Sequence, residues 1–234
     1  MKCVILVGGL GKRLGEISNI IPKPMVEIDG KPLLERTILH LKQFGILKFI
    51  LCAGHLANSI QSHFGDGSTF GVNISYAIEK DLLGTGGALK NAEKLVGKEP
   101  FILLYGDLVI NMDLRKFIQF HEKKGGMGTL VVHPSEHPYD SDMLEINNNQ
   151  QIIKFLGKPT PGQKFKNIGN AGVYCFEPSI FNYLSDGKSM LDKEVIPMVI
   201  TKGERLYAYV TNEQVFDIGT PGRLGKARTK KGSL

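Results

Sequence analysis

What this sequence lacks narrows it first. It has only three cysteines, Cys3, Cys52 and Cys175, each set in an apolar run and none at a metal-ligand spacing. They read as buried thiols in a reducing compartment, not as a disulfide framework or a metal site. No apolar run approaches the roughly 18 residues of a membrane span. The N-terminus lacks the basic start, long apolar stretch and small-residue cleavage site of a signal peptide, so a cytoplasmic location is expected. No linker-like stretch and no internal repeat breaks the chain. A concentrated basic stripe is also missing. The net charge is +6 and the pI about 9.1, yet the positive residues are spread along the chain, apart from Arg228, Lys230 and Lys231 near the end. Nucleic acid is therefore not an expected partner, and the basic tail reads as a solvated, mobile end.

What is present is globular. Of 234 residues, 42% are hydrophobic and 22% charged, enough for a sizeable core. Val4–Val7, Phe49–Ala53 and Phe101–Tyr105 are continuous apolar runs, as expected of strands buried on both faces. Between them, Pro32 opens a helix whose face is Leu34, Ile38 and Leu41 and whose end is Gly45. His55–Phe64 and Leu89–Val96 read as further helices, Asn73–Ala77 as a strand. Asp113 caps a helix running to Lys124, where Gly125-Gly126 stop it. This alternation predicts βαβ units and a mainly parallel sheet. Beyond about Gly128 shorter strands follow, at Thr129–Val132, Met143–Ile146, Ile152–Phe155 and Gly172–Phe176. The expected architecture is α/β, a Rossmann-like, mainly parallel mixed sheet flanked by helices. It forms a single domain over 1–234, with a regular first half (1–127), a second half that covers the site (128–225) and a basic tail (226–234).

The opening stretch MKCVILVGGLGKRLG carries the first chemical signal. A buried strand runs into Gly8, Gly9 and Gly11, then Lys12 and Arg13. Glycines let backbone N–H groups approach phosphate oxygens, and a guanidinium can grip two oxygens at once. This is not a P-loop, which needs Ser or Thr after Gly-Lys, since Arg13 stands there. Nor is it a dinucleotide fingerprint, because Leu14 occupies the third glycine position. A second signal is Pro22-Lys23-Pro24-Met25, where two prolines stiffen the backbone around one lysine and pre-position its charge.

Together these two stretches resemble the signature of the sugar-1-phosphate nucleotidyltransferases. Leu83-Gly84-Thr85-Gly86-Gly87-Ala88-Leu89, Tyr105-Gly106-Asp107, Asn170-Ala171-Gly172-Val173-Tyr174 and Phe216-Asp217-Ile218-Gly219-Thr220-Pro221 continue the resemblance in order, over about residues 2–225. It implies the nucleotide-diphospho-sugar transferase type of fold, with 1–127 as the nucleotide-binding half and 128–225 as the sugar-binding half. The implied enzyme joins a nucleoside triphosphate to a sugar 1-phosphate, releases pyrophosphate and needs Mg2+. The sugar phosphate oxygen attacks the α-phosphorus in line, so positioning and charge neutralisation do the work. By the same resemblance, Leu6, Gly8, Gly9, Gly11 and Lys12 meet the nucleotide. Arg13 grips the triphosphate and the departing pyrophosphate, and Lys23 offsets charge at the α-phosphate. Asp107 and Asp217 converge on the magnesium ion. Gly84, Thr85, Gly86 and Gly87 run close to base and ribose, where side chains would obstruct. Lys158 meets the sugar phosphate, with Asn170 and Gly172 near the sugar.

One departure stands out. Many relatives carry Glu-Lys-Pro where this chain has Gly157-Lys158-Pro159, with the Glu on sugar hydroxyls. One sugar contact is therefore expected to be unfilled, and the sugar preference to be loose. The stretches around Phe64–Tyr76 and Ser189–Pro197 look most like short guanylyltransferases acting on mannose or D-glycero-D-manno-heptose 1-phosphate. Cytidylyl, thymidylyl and uridylyl transfer to glucose 1-phosphate stay open alongside, as does a non-catalytic nucleotide-sugar-binding module. The resemblance also leaves room for a homodimer, because exposed apolar helices in such enzymes often support one.

Overall fold

The computed structural model describes residues 1–9, 11–14 and 21–229, without the Lys12 side chain. Leu10, Lys230 and Lys231 lie outside the described residues, as does any role for the Lys12 ammonium.

The sheet is built outward from β1 (Lys2–Leu6), whose Cys3, Val4 and Ile5 are fully buried. Parallel partners flank it on both sides, β4 (Lys48–Ala53) and β6 (Phe101–Tyr105), and β5 (Asn73–Ile78) extends the parallel set beyond β4. The chain thus runs from β1 outward through β4 and β5, then returns to β6 on the far side of β1. In open α/β sheets this reversal opens a crevice at the carboxyl ends of the two central strands. The glycine turn after β1 and Gly106-Asp107 after β6 both lie there.

Antiparallel strands complete a nine-stranded sheet. β11 (Gly169–Phe176) pairs with β6, and β8 (Gly128–His133) with β11, while β12 (Leu206–Val210) runs parallel to β8. β9 (Met143–Ile146) touches β11 at Gly169 and pairs with β10 (Ile152–Gly157). The β8–β11 register shifts between Asn170 and Tyr174. Gly172 sits in that bulge with φ +76°, and a Cβ there would stand 2.9 Å from the Tyr105 ring. Only glycine meets both demands.

Short strands form two separate antiparallel pairs, β2 (Glu27–Ile28) with β3 (Lys31–Pro32), and β7 (Leu108–Asn111) with β13 (Gln214–Asp217), where Asp217 lies opposite Leu108. The apolar runs of β7 and β13, Leu108-Val109-Ile110 and Val215-Phe216, are too short for local pattern to mark them as partners. Side-chain alternation along β1, β4 and β6 feeds two buried clusters on opposite faces of the sheet, one including Cys3, Ile5 and Leu51, the other Val4, Ile50 and Leu103.

The helices cover these faces. α1 (Leu33–Lys42) buries Leu34, Ile38 and Leu41. α2 (Ala57–Phe64) starts two residues later than its sequence pattern suggests. α3 (Gly84–Asn91) begins at the glycine stretch itself, and α4 (Glu93–Val96) follows after Ala92, where one helix from Leu89 is expected. α5 (Leu114–Lys124) has its predicted cap, Asp113 accepting the Arg115 N–H at 3.0 Å, and ends on Gly125 at φ +59°. α6 (Ile196–Thr201) follows a wide turn at Leu191–Val195. α7 (Pro221–Thr229) corrects the reading of the basic tail as a free end. Residues 226–229 are helical, Leu224 and Ala227 are buried against Leu14, Val26 and Ile28, and Arg228 donates to the Glu27 carbonyl. Leu224 and Ala227, three apart, give one turn an apolar side that the surrounding cations disguise.

Among the described residues no helix is long and apolar enough to cross a membrane. All three cysteines are free and buried, and burial raises each thiol's pKa.

Candidate active site

Two cavities, of about 440 and 480 Å3, meet at the carboxyl ends of β1 and β6 and share Tyr105 and Asp107 as walls. Leu6, Gly8, Gly9, Gly11, Lys23, Gly84 and Thr85 line the first with Glu79. Arg13, Lys158, Asn170, Gly172 and Asp217 line the second. The fold therefore brings together segments drawn from nearly the whole chain.

Gly86 and Gly87 are the exception, for they line neither cavity. A Cβ at Gly86 would stand 2.5 Å from Ser189 Oγ, and one at Gly87 2.1 Å from the Gly187 carbonyl oxygen. These glycines make room for the 187–189 segment. Gly86 N–H donates to the Ser189 carbonyl at 2.9 Å, and Thr85 Oγ1 accepts the Leu191 N–H at 2.8 Å. The start of α3 is thus pinned to the wide turn that precedes α6.

Lys23 opens a short 3-10 turn, Lys23–Met25, behind an extended Pro22 (φ −62°, ψ 142°). Its side chain is 12% exposed, and its ammonium reaches Asp107 Oδ2 at 3.4 Å. Burial raises the Asp107 pKa, Lys23 opposes that shift, and the nearby Asp217 charge adds to it. The net direction is up, as for a carboxylate with negative company and too little water.

Three hydrogen bonds from two residues hold Asp217. Gly219 N–H donates to Oδ1 at 2.8 Å, and Arg223 Nη1 bonds both oxygens at 2.9 and 2.8 Å. Arg223 then reaches across with Nη2 to Asp140 Oδ2 at 2.8 Å. Asp140 also takes Lys158 Nζ at 2.6 Å and Arg13 Nη1 at 3.4 Å. The Lys158 bond is the main cause that holds the Asp140 carboxyl below the usual range. Arg13, Lys158 and Arg223 thus converge on one anionic group, a spacing that also suits phosphate oxygens. Arg13 faces this second cavity, not the glycine-lined one.

Sequence reasoning missed Asp140 and Arg223. Asp140 ends a 3-10 turn, Pro138–Asp140, with no periodicity to mark it. Arg223 follows Asp217-Ile218-Gly219-Thr220-Pro221 by two residues, and its role shows only in the fold.

The wall between the cavities rests on Asp192. Tyr105 and Tyr174 hydroxyls donate to its two oxygens, the latter at 2.8 Å, and Asn170 Nδ2 donates to Oδ1 at 3.3 Å. Burial pushes Asp192 up to about 6 against the pull of these donors. Asn170 also donates to Tyr174 at 2.7 Å, and its Oδ1 accepts the Gly172 N–H at 3.3 Å. Its amide N–H groups are spent on the protein, so Asn170 shapes the wall.

Among the described residues no group of three or more His, Cys, Asp or Glu could hold a metal ion. Asp107 and Asp217, on neighbouring strand ends, are the carboxylates that could share a hard cation with ligand oxygens.

A Rossmann-like crevice lined by glycine backbone, lysine and paired aspartates defines a nucleotide-handling α/β protein. Residues 2–232 match the Nucleotidyl transferase family, and the chain belongs to it. It is 32% identical over 234 residues to the D-glycero-alpha-D-manno-heptose 1-phosphate guanylyltransferase of Aneurinibacillus thermoaerophilus, covering 97% of both chains. To the UTP–glucose-1-phosphate uridylyltransferase of Synechocystis it is 31% identical, and there it spans 94% of its own length but 60% of the relative's. Among solved structures, HddC from Yersinia pseudotuberculosis complexed with GMP-PN superposes with a TM-score of 0.83 at 30% identity, over 97% of each chain.

Proposed function

We propose that this chain is a sugar-1-phosphate nucleotidyltransferase that joins GTP to mannose 1-phosphate or D-glycero-D-manno-heptose 1-phosphate and releases pyrophosphate. The observation that carries the choice of base is Glu79. It follows β5, lines the glycine-side cavity and is half-buried, and burial raises its pKa. Its Oε2 accepts the Leu83 N–H at 3.1 Å. Its Oε1 lies 2.8 Å from where a Cβ on Gly8 would stand, so the glycine makes room for the carboxylate. A carboxylate only accepts hydrogen bonds. Guanine presents two neighbouring donors, N1–H and the 2-amino group. Uracil and thymine present one N–H between two carbonyls, while cytosine and adenine set an amino group beside an acceptor nitrogen. Against both of these arrangements a carboxylate faces an acceptor, which is the repulsive element that specificity needs. The guanylyltransferase and the GMP-PN complex among the relatives support the same reading.

In this reading the sugar phosphate oxygen forms a bond to the α-phosphorus as the bond to the pyrophosphate oxygen breaks. No protein nucleophile takes part. The Gly8–Lys12 backbone holds the triphosphate, and Lys23 neutralises charge at the α-phosphate. Arg13, on the second cavity and close enough to Asp107 for its charge to act there, grips the departing oxygens. Lys158 and Arg223 hold the sugar phosphate. Asp107 and Asp217 suit Mg2+, because two carboxylates share one corner and burial leaves Asp107 short of positive charge. When bound there, the ion supplies positive charge to the phosphate oxygens. The buried thiols fit a reducing compartment, and we place the reaction in the cytoplasm.

The test is a matrix of GTP, UTP, CTP, dTTP and ATP against glucose, mannose and heptose 1-phosphates, read as pyrophosphate release. GTP with a manno-configured sugar should lead. A lead for UTP with glucose 1-phosphate would favour the uridylyl alternative, and no release from any pair would leave a binding module.

A further inference from the structure

The carboxylate that many relatives carry just before the sugar-phosphate lysine is absent, because Gly157 stands there. The backbone explains why it could not simply be restored. Gly157 has φ +69°, a left-handed conformation that a glutamate would strain. It also lies where the β9–β10 register shifts, between Phe155 and Gly157. Even so, another carboxylate already stands beside that position. The nearest atom to a Cβ on Gly157 is Asp142 Oδ1, at 3.9 Å.

Asp142 immediately precedes β9, whose Met143 pairs with Gly157. Its carbonyl oxygen accepts the Asn170 N–H at 2.8 Å, which ties its backbone to β11. The side chain lines the 480 Å3 cavity and is half-buried. Three aspartates line this part of the cavity, and two are already satisfied. Asp140 takes Lys158 and Arg223, and Asp192 takes two tyrosine hydroxyls and an amide. The Asp142 carboxylate accepts no hydrogen bond among the described residues. The charges facing it are Lys158 and Lys193, with Asp140 and Asp192 on the negative side. A desolvated carboxylate without donors is costly, and a ligand that brings donors relieves the cost. Sugar hydroxyls are such donors, and one carboxylate can accept from two of them.

We propose that Asp142 reads the sugar: its carboxylate replaces the missing glutamate from the neighbouring strand and accepts hydrogen bonds from hydroxyls of the sugar 1-phosphate whose phosphate Lys158 holds. This rests on the reading of the chain as a sugar-1-phosphate nucleotidyltransferase. Because Lys158 adjoins Gly157, the carboxylate and the lysine stay side by side, as they would in a Glu-Lys pair. The consequence reverses the expectation from sequence, since the site then keeps a buried polar group that the wrong sugar leaves unpaired.

The experiment compares wild type, Asp142→Ala and the near-isosteric Asp142→Asn. Each is assayed with GTP and with mannose 1-phosphate and its 2-, 3-, 4- and 6-deoxy forms, and sugar phosphate binding is measured by calorimetry in parallel. Melting temperatures check the fold, and Asp142→Asn serves if the alanine variant does not fold. Wild type should lose more than ~100-fold in kcat/KM on at least one deoxy form. Asp142→Ala should raise KM for the parent sugar by roughly 10- to 100-fold, leave KM for GTP unchanged, and bring the parent and that deoxy form to within about 3-fold of each other. Unchanged discrimination in the variant overturns the proposal. So does an equal loss on every sugar form, which is what a residue that merely steadies Lys158 would give. If wild type turns over no pair but calorimetry shows the Asp142-dependent discrimination, the inference stands and the catalytic reading falls. A wild type that binds none of these sugar phosphates overturns both.

Discussion

Ile218 donates its backbone N–H to the carbonyl oxygen of Asp107 at 2.9 Å. That bond continues the β7–β13 pairing by one step and sets Asp217 beside Asp107, two residues from distant parts of the chain. The Asp107 carboxylate feels both Asp217 and Lys23, so its charge is poised between a carboxylate and an ammonium.

The first prediction uses that position. Asp107→Asn keeps the size and removes the charge. Turnover should fall at least ~100-fold, the scale of removing one group that stabilises charge in the transition state. The fold should survive, because burial already disfavours the charge. Steady-state rates at saturating magnesium, with circular dichroism of the variant, decide it, and wild-type rates would refute the metal-binding role.

Much of this arrangement is legible in the sequence, and the reason differs from part to part. The three buried parallel strands announce themselves as apolar runs, and α1 and α5 by periodicity and caps. The site motifs lie at strand ends, where the switch in strand order places them. α3 is harder, because Gly84, Gly86 and Gly87 look like a loop. They are glycine because the 187–189 segment packs where their side chains would be, and the helix starts there with its Gly86 N–H tied to the Ser189 carbonyl. β7 and β13 are four residues each, and only their long-range pairing reveals them. Asp140 and Asp142 sit in a polar turn with no repeat to read, so their convergence with Lys158 and Arg223 is a property of the fold alone.

Arg13 tests the difference between a turn residue and a clamp. Arg13→Lys keeps the charge but loses the planar, two-pronged grip. The guanidinium side chain is 52% exposed and its ion pair to Asp140 spans 3.4 Å. Stability should therefore move by no more than ~0.5 kcal/mol. If Arg13 grips the departing pyrophosphate, kcat/KM should drop by the equivalent of roughly 1.5–3 kcal/mol, the worth of a hydrogen bond to a charged group. Thermal melts and kinetics on one preparation separate the two outcomes, and unchanged activity would leave Arg13 as decoration.

Glu79→Gln tests the base. The amide keeps the shape but offers a donor as well as an acceptor, so it can meet uracil or thymine without repulsion. The preference for GTP over UTP should shrink by about 10- to 100-fold, the range one polar contact gives. Most of the change should appear as a gain on UTP in kcat/KM. A variant that loses activity equally on both nucleotides would show that Glu79 supports Leu83 and reads nothing.

The last prediction concerns pH and the wall between the cavities. Asp192 is pushed up to about 6 from an ordinary value of 3.8, chiefly by burial. A carboxylate with a raised pKa binds its proton more tightly in the folded chain than in the unfolded one. Folding stability from this group is therefore greatest at low pH and falls as pH rises through the window from about 4 to about 6. Asp140, Asp113 and Asp66 shift the other way, so their contributions are lost as pH falls. The whole-protein curve mixes both signs, and a difference isolates one. Asp192→Asn cannot ionise, and its amide can still accept from one tyrosine hydroxyl and donate to the other. Subtracting the variant's unfolding free energy from that of wild type, by urea denaturation at several pH values between 3.5 and 7, should give a difference that declines across pH 4–6 and is flat above it. A flat difference throughout would mean that the Tyr105, Tyr174 and Asn170 donors cancel the effect of burial, and one that rises with pH that they outweigh it; either result overturns the raised pKa of Asp192.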